Sequence, residues 1–197
     1  MFWFRQGLCI LPVCLVVLHD VDVLLPYISD TANSPPESCF FGLMTFISAC
    51  TCIATIYAMY KYIAKLGEDK GVAFCNRAAL GLGLLSCFGM CVVATFQESA
   101  VEDVHLTGAL LFFVCGALYI SMETYISYCL FPYGSSLLVC RIRLILSVIS
   151  GVVFLPSILS LQLDPRLAKA SAGCEWIVAF SFVSFFLTYI HDFKVSY

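Results

Sequence analysis

Charged residues are scarce in this 197-residue chain, where lysine, arginine, aspartate and glutamate together make up 12%. Soluble domains carry about 25% charged residues. Hydrophobic residues account for 61% of the chain and its mean hydropathy is +0.97. No water-soluble packing buries this much apolar surface and still leaves a polar exterior. The shortage of charge therefore excludes an ordinary soluble protein and indicates an integral membrane protein.

Enzyme signatures are also lacking. The sequence has no Gly-x-Ser-x-Gly elbow, no HExxH, no CxxC pair and no glycine-rich phosphate loop. Its three histidines, His19, His105 and His191, are far apart. The sequence also has no basic patch with interleaved aromatic residues, the pattern that would indicate binding to nucleic acid. These absences predict a protein that is not an enzyme and has no cofactor, catalytic residue, metal site or nucleic-acid partner.

Long uncharged runs dominate what remains. A membrane-spanning helix needs about 20 apolar residues, and backbone groups inside lipid must be paired within the segment. A β-barrel needs alternating polarity, which is not present. The sequence therefore predicts an all-α, polytopic membrane protein, a six-helix bundle forming a single transmembrane domain over residues 1–197. The predicted spans are 7–18, 39–60, 75–96, 105–128, 142–163 and 173–190.

The first predicted span is short. Residues 7–18 give only twelve apolar positions before His19, Asp20 and Asp22. This length also fits the core of a cleaved signal peptide that follows Arg5, but no small-residue cleavage pattern follows. We interpret the segment as a shortened first helix.

The distribution of basic residues predicts the orientation. Eight of the ten lysines and arginines precede span one, lie between spans two and three or four and five, or follow span six. Only Arg166 and Lys169 fall on the other side. Because cytosolic loops carry the excess of Lys and Arg, both termini are predicted to be cytosolic.

Small residues spaced four apart mark faces where membrane helices approach closely. Ala79, Gly83 and Cys87 form such a series in span three, and Ala54 and Ala58 form one in span two. We expect both series to lie at helix contacts.

Ionisable residues at membrane depth are the candidate functional groups. They are His105, Glu123 and Glu175, and the family resemblance described below adds Glu98 as a fourth candidate. His105 and Glu123 are eighteen residues apart, which is five helical turns, so both should lie on the inward face of span four. Arg141 or Arg143 is the expected ion-pair partner of Glu123.

His105 carries a second hypothesis. It is expected beside acidic residues on the lumenal side, where a histidine gains charge as the compartment acidifies. This placement favours a sensor of lumenal pH.

Several segments together resemble the DRAM/TMEM150-type family, also called Frag1/DRAM/Sfk1, and within it the damage-regulated autophagy modulators. The resemblance covers nearly the whole chain. The segments that carry it are LPYISDT at 25–31, PPES at 35–38, FG at 41–42, VATFQE at 93–98, His105 with the Gly-Ala at 108–109, CEW at 174–176 and FLTYIHDF at 186–193.

The resemblance implies a six-span protein of lysosomal or endosomal membranes that promotes autophagy, with a link to apoptosis and no established reaction. Its implied partners are membrane lipids and an unidentified membrane or cytosolic protein. Two other functions remain open. One is a lipid-binding scaffold that recruits a phosphoinositide kinase or lipid-remodelling machinery; the other is a proton-coupled transporter using His105, Glu123 and Glu175. The family's first span is longer than the one here, which puts insertion of this helix in doubt.

Overall fold

The computed structural model describes residues 27–29, 34–67, 71–163 and 168–195. Regular secondary structure in these residues is entirely α-helical. Five helices each contain a stretch long and apolar enough to cross a membrane, which confirms the predicted helical membrane bundle. The helices are α1 (Glu37–Leu66), α2 (Ala73–Thr95), α3 (Glu102–Leu130), α4 (Leu137–Leu163) and α5 (Ala168–Val195).

These five helices correspond to predicted spans two to six. The predicted first span, 7–18, lies outside the described residues, so the count of six stays a prediction. The start of α4 differs from the prediction by five residues, because α4 begins at Leu137 whereas the sequence placed the start of this span at 142. Arg141 and Arg143, which the count of basic residues assigned to the connection between spans four and five, therefore both lie well inside the helix.

Helices that are consecutive in the chain pack side by side. The described connections are short, so neighbouring helices run antiparallel. α3 is central because it packs against α2 and α4 and also contacts α5. Its buried residues include His105, Gly108, Gly116 and Glu123. The prediction that His105 and Glu123 share the inward face of this helix is confirmed.

Glycine allows α2 and α3 to approach closely. A Cβ atom placed on Gly89 would lie 2.6 Å from the carbonyl oxygen of Gly108 and 2.6 Å from the backbone nitrogen of Phe112. The Ser86 hydroxyl donates a hydrogen bond to the Phe112 carbonyl oxygen at 2.9 Å. Without water, such close backbone approach and interhelical hydrogen bonds are what hold membrane helices together.

The two predicted small-residue series have different outcomes. Ala79, Gly83 and Cys87 are all buried, so the prediction for α2 is confirmed. Ala54 and Ala58 are exposed, so the prediction for α1 is wrong. The inward face of α1 is instead made of larger side chains, which include Ile56, Met59 and Ile63. A spacing of four identifies one face of a helix, but other side chains can provide the contact.

Candidate functional site

The four candidate residues lie toward opposite ends of the bundle. Glu98, His105 and Glu175 are near the end where α2 finishes and α3 and α5 begin, called here the His105 end. Glu123 lies eighteen residues after His105 on α3, which is about 27 Å along the helix at 1.5 Å per residue. It is therefore toward the end of the bundle that contains Arg143. The four residues therefore do not form one site.

His105 is only 5% exposed. Its Nδ1 atom lies 2.7 Å from the carbonyl oxygen of Phe96, the residue that follows α2. A carbonyl oxygen only accepts hydrogen bonds, so Nδ1 carries the hydrogen and is the donor in this contact. The histidine thus ties the first turn of α3 to the end of α2.

Glu175 connects α5 to the segment that precedes α1. Its Oε2 atom accepts a hydrogen bond from the backbone N–H of Ile28 at 3.1 Å. Glu98 lies in the turn between α2 and α3, and its Oε2 atom is buried without a hydrogen-bond partner. Of the three residues at this end, His105 and Glu175 also line a cavity.

The cavity has a volume of about 310 Å³ and lies between α1, α2, α3 and α5. His105 and Glu175 lie toward one end of it, and Tyr119 and Leu187 lie deeper in the bundle. Most of the lining between these residues is apolar and partly aromatic; it includes Ile56, Met90, Phe112, Phe113, Phe182 and Phe186. An apolar volume of this kind, with a few polar groups toward one end, is typical of a site for an apolar ligand.

At the other end, a buried ion pair joins two helices. Arg143 of α4 and Asp192 of α5 are each 1% exposed, and the Nη2 atom of Arg143 donates to the Oδ2 atom of Asp192. The Nε atom of Arg143 donates to the Thr188 hydroxyl at 2.8 Å. Its Nη1 atom donates to the hydroxyls of Ser127 at 2.6 Å and Ser135 at 3.1 Å. We call these five residues the arginine cluster.

The arginine cluster gives the guanidinium charge of Arg143 the partners without which it would be costly to bury in lipid. The hydroxyl of Ser135 also donates to the second carboxylate oxygen of Asp192, Oδ1, at 2.7 Å. The guanidinium group lies near the rings of Tyr189 and Phe185, 5.0 and 5.7 Å from their centroids. Ionisable residues within membrane helices usually point inward and pair with one another. The cluster therefore fixes α3, α4, α5 and the α3–α4 loop to one another.

The predicted ion pair of Glu123 is wrong. In the described part of the chain Arg143 pairs with Asp192, and Arg141 is exposed. Glu123 is 2% exposed and its Oε2 atom has no hydrogen-bond partner. One turn earlier in α3, the hydroxyl of Tyr119 forms a 2.8 Å hydrogen bond with that of Tyr189.

Sequence reasoning did not identify Asp192 as a partner, although a signal was present. With α4 starting at Leu137, Arg143 is almost two turns inside the helix, and a cation at that depth requires a buried acceptor. Predicted span six ends at 190, next to Asp192 and on the same side of the membrane. Placing Arg143 in the loop concealed this pairing.

The described residues provide an ion pair whose groups are engaged and an apolar volume with two polar groups toward one end. Among residues 27–29, 34–67, 71–163 and 168–195, no three histidine, cysteine, aspartate or glutamate side chains are placed to hold a metal ion. This geometry suits binding.

The chain is similar to known proteins along almost all of its length. Residues 1–196 match the family described as the Frag1/DRAM/Sfk1/Cwh43P N-terminal domain. The chain is 42% identical to DNA damage-regulated autophagy modulator protein 1 of Homo sapiens, over 98% of this chain and 87% of that protein. It is 40% identical to DNA damage-regulated autophagy modulator protein 2 of Rattus norvegicus, over 98% and 86%.

A more distant relative has a similar name. The chain is 32% identical to the modulator of macroautophagy TMEM150B of Xenopus tropicalis, over 78% of this chain and 65% of that protein. No solved structure matches the chain.

Proposed function

The chain belongs to the Frag1/DRAM/Sfk1/Cwh43P family, and on this premise we propose that it is a non-enzymatic, multi-pass protein of lysosomal or endosomal membranes that promotes autophagy. The observation that carries the proposal is the similarity over 98% of the chain to two proteins named autophagy modulators. A similarity of this extent includes the helices and the loops, so it is not limited to one motif.

The structure supports action by binding. The charged groups of the arginine cluster are held by one another, and the cavity is mainly apolar. The proposed partners are membrane lipids and an unidentified membrane or cytosolic protein. The excess of lysine and arginine on one side supports cytosolic termini, which would leave that side of the bundle accessible to a cytosolic partner.

A flux measurement in cells tests the autophagy role. The chain is deleted and then restored at graded levels, and turnover of an autophagosome marker is followed with and without a block of lysosomal acidification. We expect turnover to fall on deletion and to recover with expression. A fluorescent C-terminal tag should coincide with lysosomal or endosomal markers.

The matched controls are Arg143→Met, which should break the arginine cluster, and Arg141→Met at an exposed position. Only Arg141→Met should restore flux. Unchanged turnover after deletion and re-expression, with the protein folded and present in lysosomes, would contradict the proposal.

A second candidate function is a lipid-binding scaffold that recruits a phosphoinositide kinase or lipid-remodelling machinery. The apolar cavity favours this candidate because it offers space for part of a lipid. Residence at the plasma membrane without an effect on flux, together with a kinase that co-purifies stoichiometrically in mild detergent, would support the scaffold over the autophagy role.

A further inference from the structure

We propose that Glu123 carries an exchangeable proton, and that loss of this proton lets Glu123 compete with Asp192 for Arg143 and so loosens α5 from α4. The ligand of this site is the proton itself, and the site lies at the end of the bundle opposite His105. The role in autophagy does not require proton binding, so the two proposals are tested separately.

Two carboxyl groups lie beside one guanidinium group in the interior of the bundle. Glu123, Asp192 and Arg143 line the same small space between α1, α3, α4 and α5, and each is at most 2% exposed. Arg143 pairs with Asp192. An ionised Glu123 would add a second negative charge without a cation of its own, and burying an unpaired charge is costly. A proton on the carboxyl group of Glu123 removes that charge.

The helices around Glu123 supply no further cation. Among the described residues, the charged side chains that act on Glu123 are those of Arg143 and Asp192. His191 approaches Asp192, with Nδ1 3.9 Å from Oδ1, but its side chain is 45% exposed. The buried polar side chains of α2 are an asparagine and a serine, both uncharged. Glu123 therefore depends on a proton for neutrality.

Three phenol groups complete the surroundings of Glu123. Tyr62 of α1 lines the same space, and its hydroxyl donates to the carbonyl oxygen of Gly134 at 3.1 Å. The hydroxyls of Tyr119 on α3 and Tyr189 on α5 form a hydrogen bond with each other. Because phenols ionise only near pH 10, none of the three carries a charge that would act on Glu123 in the physiological range.

Arg143 has one donor left for a second carboxylate. A guanidinium group has five N–H donors, and in the described part of the chain the arginine cluster uses four of them. The remaining N–H is on Nη2, and the Oε2 atom of Glu123 is also without a partner. The space that both residues line has a volume of about 10 Å³, close to the smallest volume that holds one water molecule.

Release of the proton changes the partners of Arg143. The O–H bond of the Glu123 carboxyl group breaks, and a water molecule takes the proton toward the α3–α4 loop, whose residues Gly134 and Ser135 also line the space. The resulting carboxylate accepts the remaining N–H of Arg143. Arg143 is then shared between two carboxylates, so its hold on Asp192, and with it the junction of α4 and α5, becomes weaker.

Infrared spectroscopy of the full chain in lipid nanodiscs tests whether the proton is present, because a protonated carboxyl group has a C=O stretch that a carboxylate lacks. At neutral pH the wild type should show this band, and isotope-labelled glutamate should shift it. Glu123→Gln should remove the band. Glu102→Gln, at an exposed position on the same helix, is the matched control and should leave the band unchanged.

Unfolding in mixed detergent micelles over a pH series tests the same proton thermodynamically. Glutamates of an unfolded chain lose their proton above about pH 4.3, so a folded state that keeps one proton loses stability as the pH rises. Relative to Glu123→Gln, the unfolding constant of the wild type should rise by up to about tenfold per pH unit until the folded protein releases the proton. Glu102→Gln should keep the dependence of the wild type.

Asp192→Asn tests the competition for Arg143. This variant removes one of the two carboxyl groups, so the guanidinium group balances Glu123 alone. The glutamate band should therefore disappear although Glu123 is still present, a result that a merely structural role of Asp192 would not produce. If this variant does not fold, the pH series with Glu123→Gln still decides whether the proton is bound.

Three results would overturn the proposal. A wild-type spectrum without a protonated glutamate, or a band that survives Glu123→Gln, would remove the proton from this residue. Equal pH dependence of unfolding in the wild type and Glu123→Gln would do the same. A glutamate band that persists in folded Asp192→Asn would show that Glu123 and Asp192 do not compete for Arg143.

Discussion

At the scale of single residues, buried charge is the feature with the largest energetic consequence. Arg143 and Asp192 are both 1% exposed and lie on different helices. Removing one partner of a buried ion pair leaves the other charge without compensation, whereas replacing both with apolar groups is often neutral. The pair is therefore best tested by single and double substitution together.

Arg143→Met should lower the free energy of unfolding by about 3–5 kcal/mol, because it leaves the Asp192 carboxylate buried without its cation. The measurement is thermal unfolding of the purified protein in detergent. Adding Asp192→Leu to Arg143→Met should recover most of the loss. The control is Arg141→Met on the exposed side of α4. A single variant as stable as the wild type would show that the pair does not hold the helices together.

Glu123 presents the opposite case. Its side chain is 2% exposed and its Oε2 atom has no hydrogen-bond partner. Because a buried charge costs free energy unless it is paired, Glu123→Gln should leave the melting temperature unchanged or raise it. Glu102→Gln, at an exposed position on the same helix, is the matched control. A marked loss of stability for Glu123→Gln alone would mean that this carboxylate has a stabilising interaction.

At the scale of helices, the α2–α3 contact depends on backbone approach. Two glycines face each other there, and a Cβ at Gly89 would meet backbone atoms that cannot move independently of their helix. Gly81 is also on α2, but a Cβ placed on it meets nothing within 4 Å. Replacing each of these two glycines with alanine therefore separates the effect of helix packing on stability from the effect of helix propensity.

Gly89→Ala should destabilise the protein by about 1–3 kcal/mol, the usual cost of overpacking. Gly81→Ala should be neutral or stabilise by up to about 1 kcal/mol, since alanine favours helix over glycine. Thermal unfolding of both variants in the same detergent is the measurement. Equal effects at the two glycines would contradict the close approach of α2 and α3.

At the scale of the whole molecule, the orientation in the membrane follows from the distribution of basic residues. The described loops alternate between the two ends of the bundle: residues 96–101 are at the His105 end, and residues 131–136 are at the other. The prediction of cytosolic termini therefore also assigns each loop to one side of the membrane.

A small epitope inserted at residues 131–136, or added at the C-terminus, should be reached by antibody after selective permeabilisation of the plasma membrane. The same epitope inserted at residues 96–101 should be reached only after the internal membranes are also opened. Access to the loop at 96–101 under the mild condition would reverse the predicted orientation.

Parts of the candidate site could be predicted from the sequence because they depend on helix geometry alone. A separation of eighteen residues placed His105 and Glu123 on one face of α3, and the structure has both buried there. The partner of Arg143 could not be predicted in this way, because it depends on which helix lies beside α4. The cavity could not be predicted for the same reason, because its walls come from four helices.

Composition and run length by themselves determined that this chain is a helical membrane protein, because apolar runs near 20 residues leave lipid as solvent and the helix as backbone structure. The same residues also carried the family resemblance. Only the tertiary structure decided that Asp192, and not Glu123, pairs with Arg143, and that His105 and Glu175 lie at one end of an apolar cavity. Span detection depends on contacts along one segment, whereas ion pairing and cavity shape depend on which helices become neighbours.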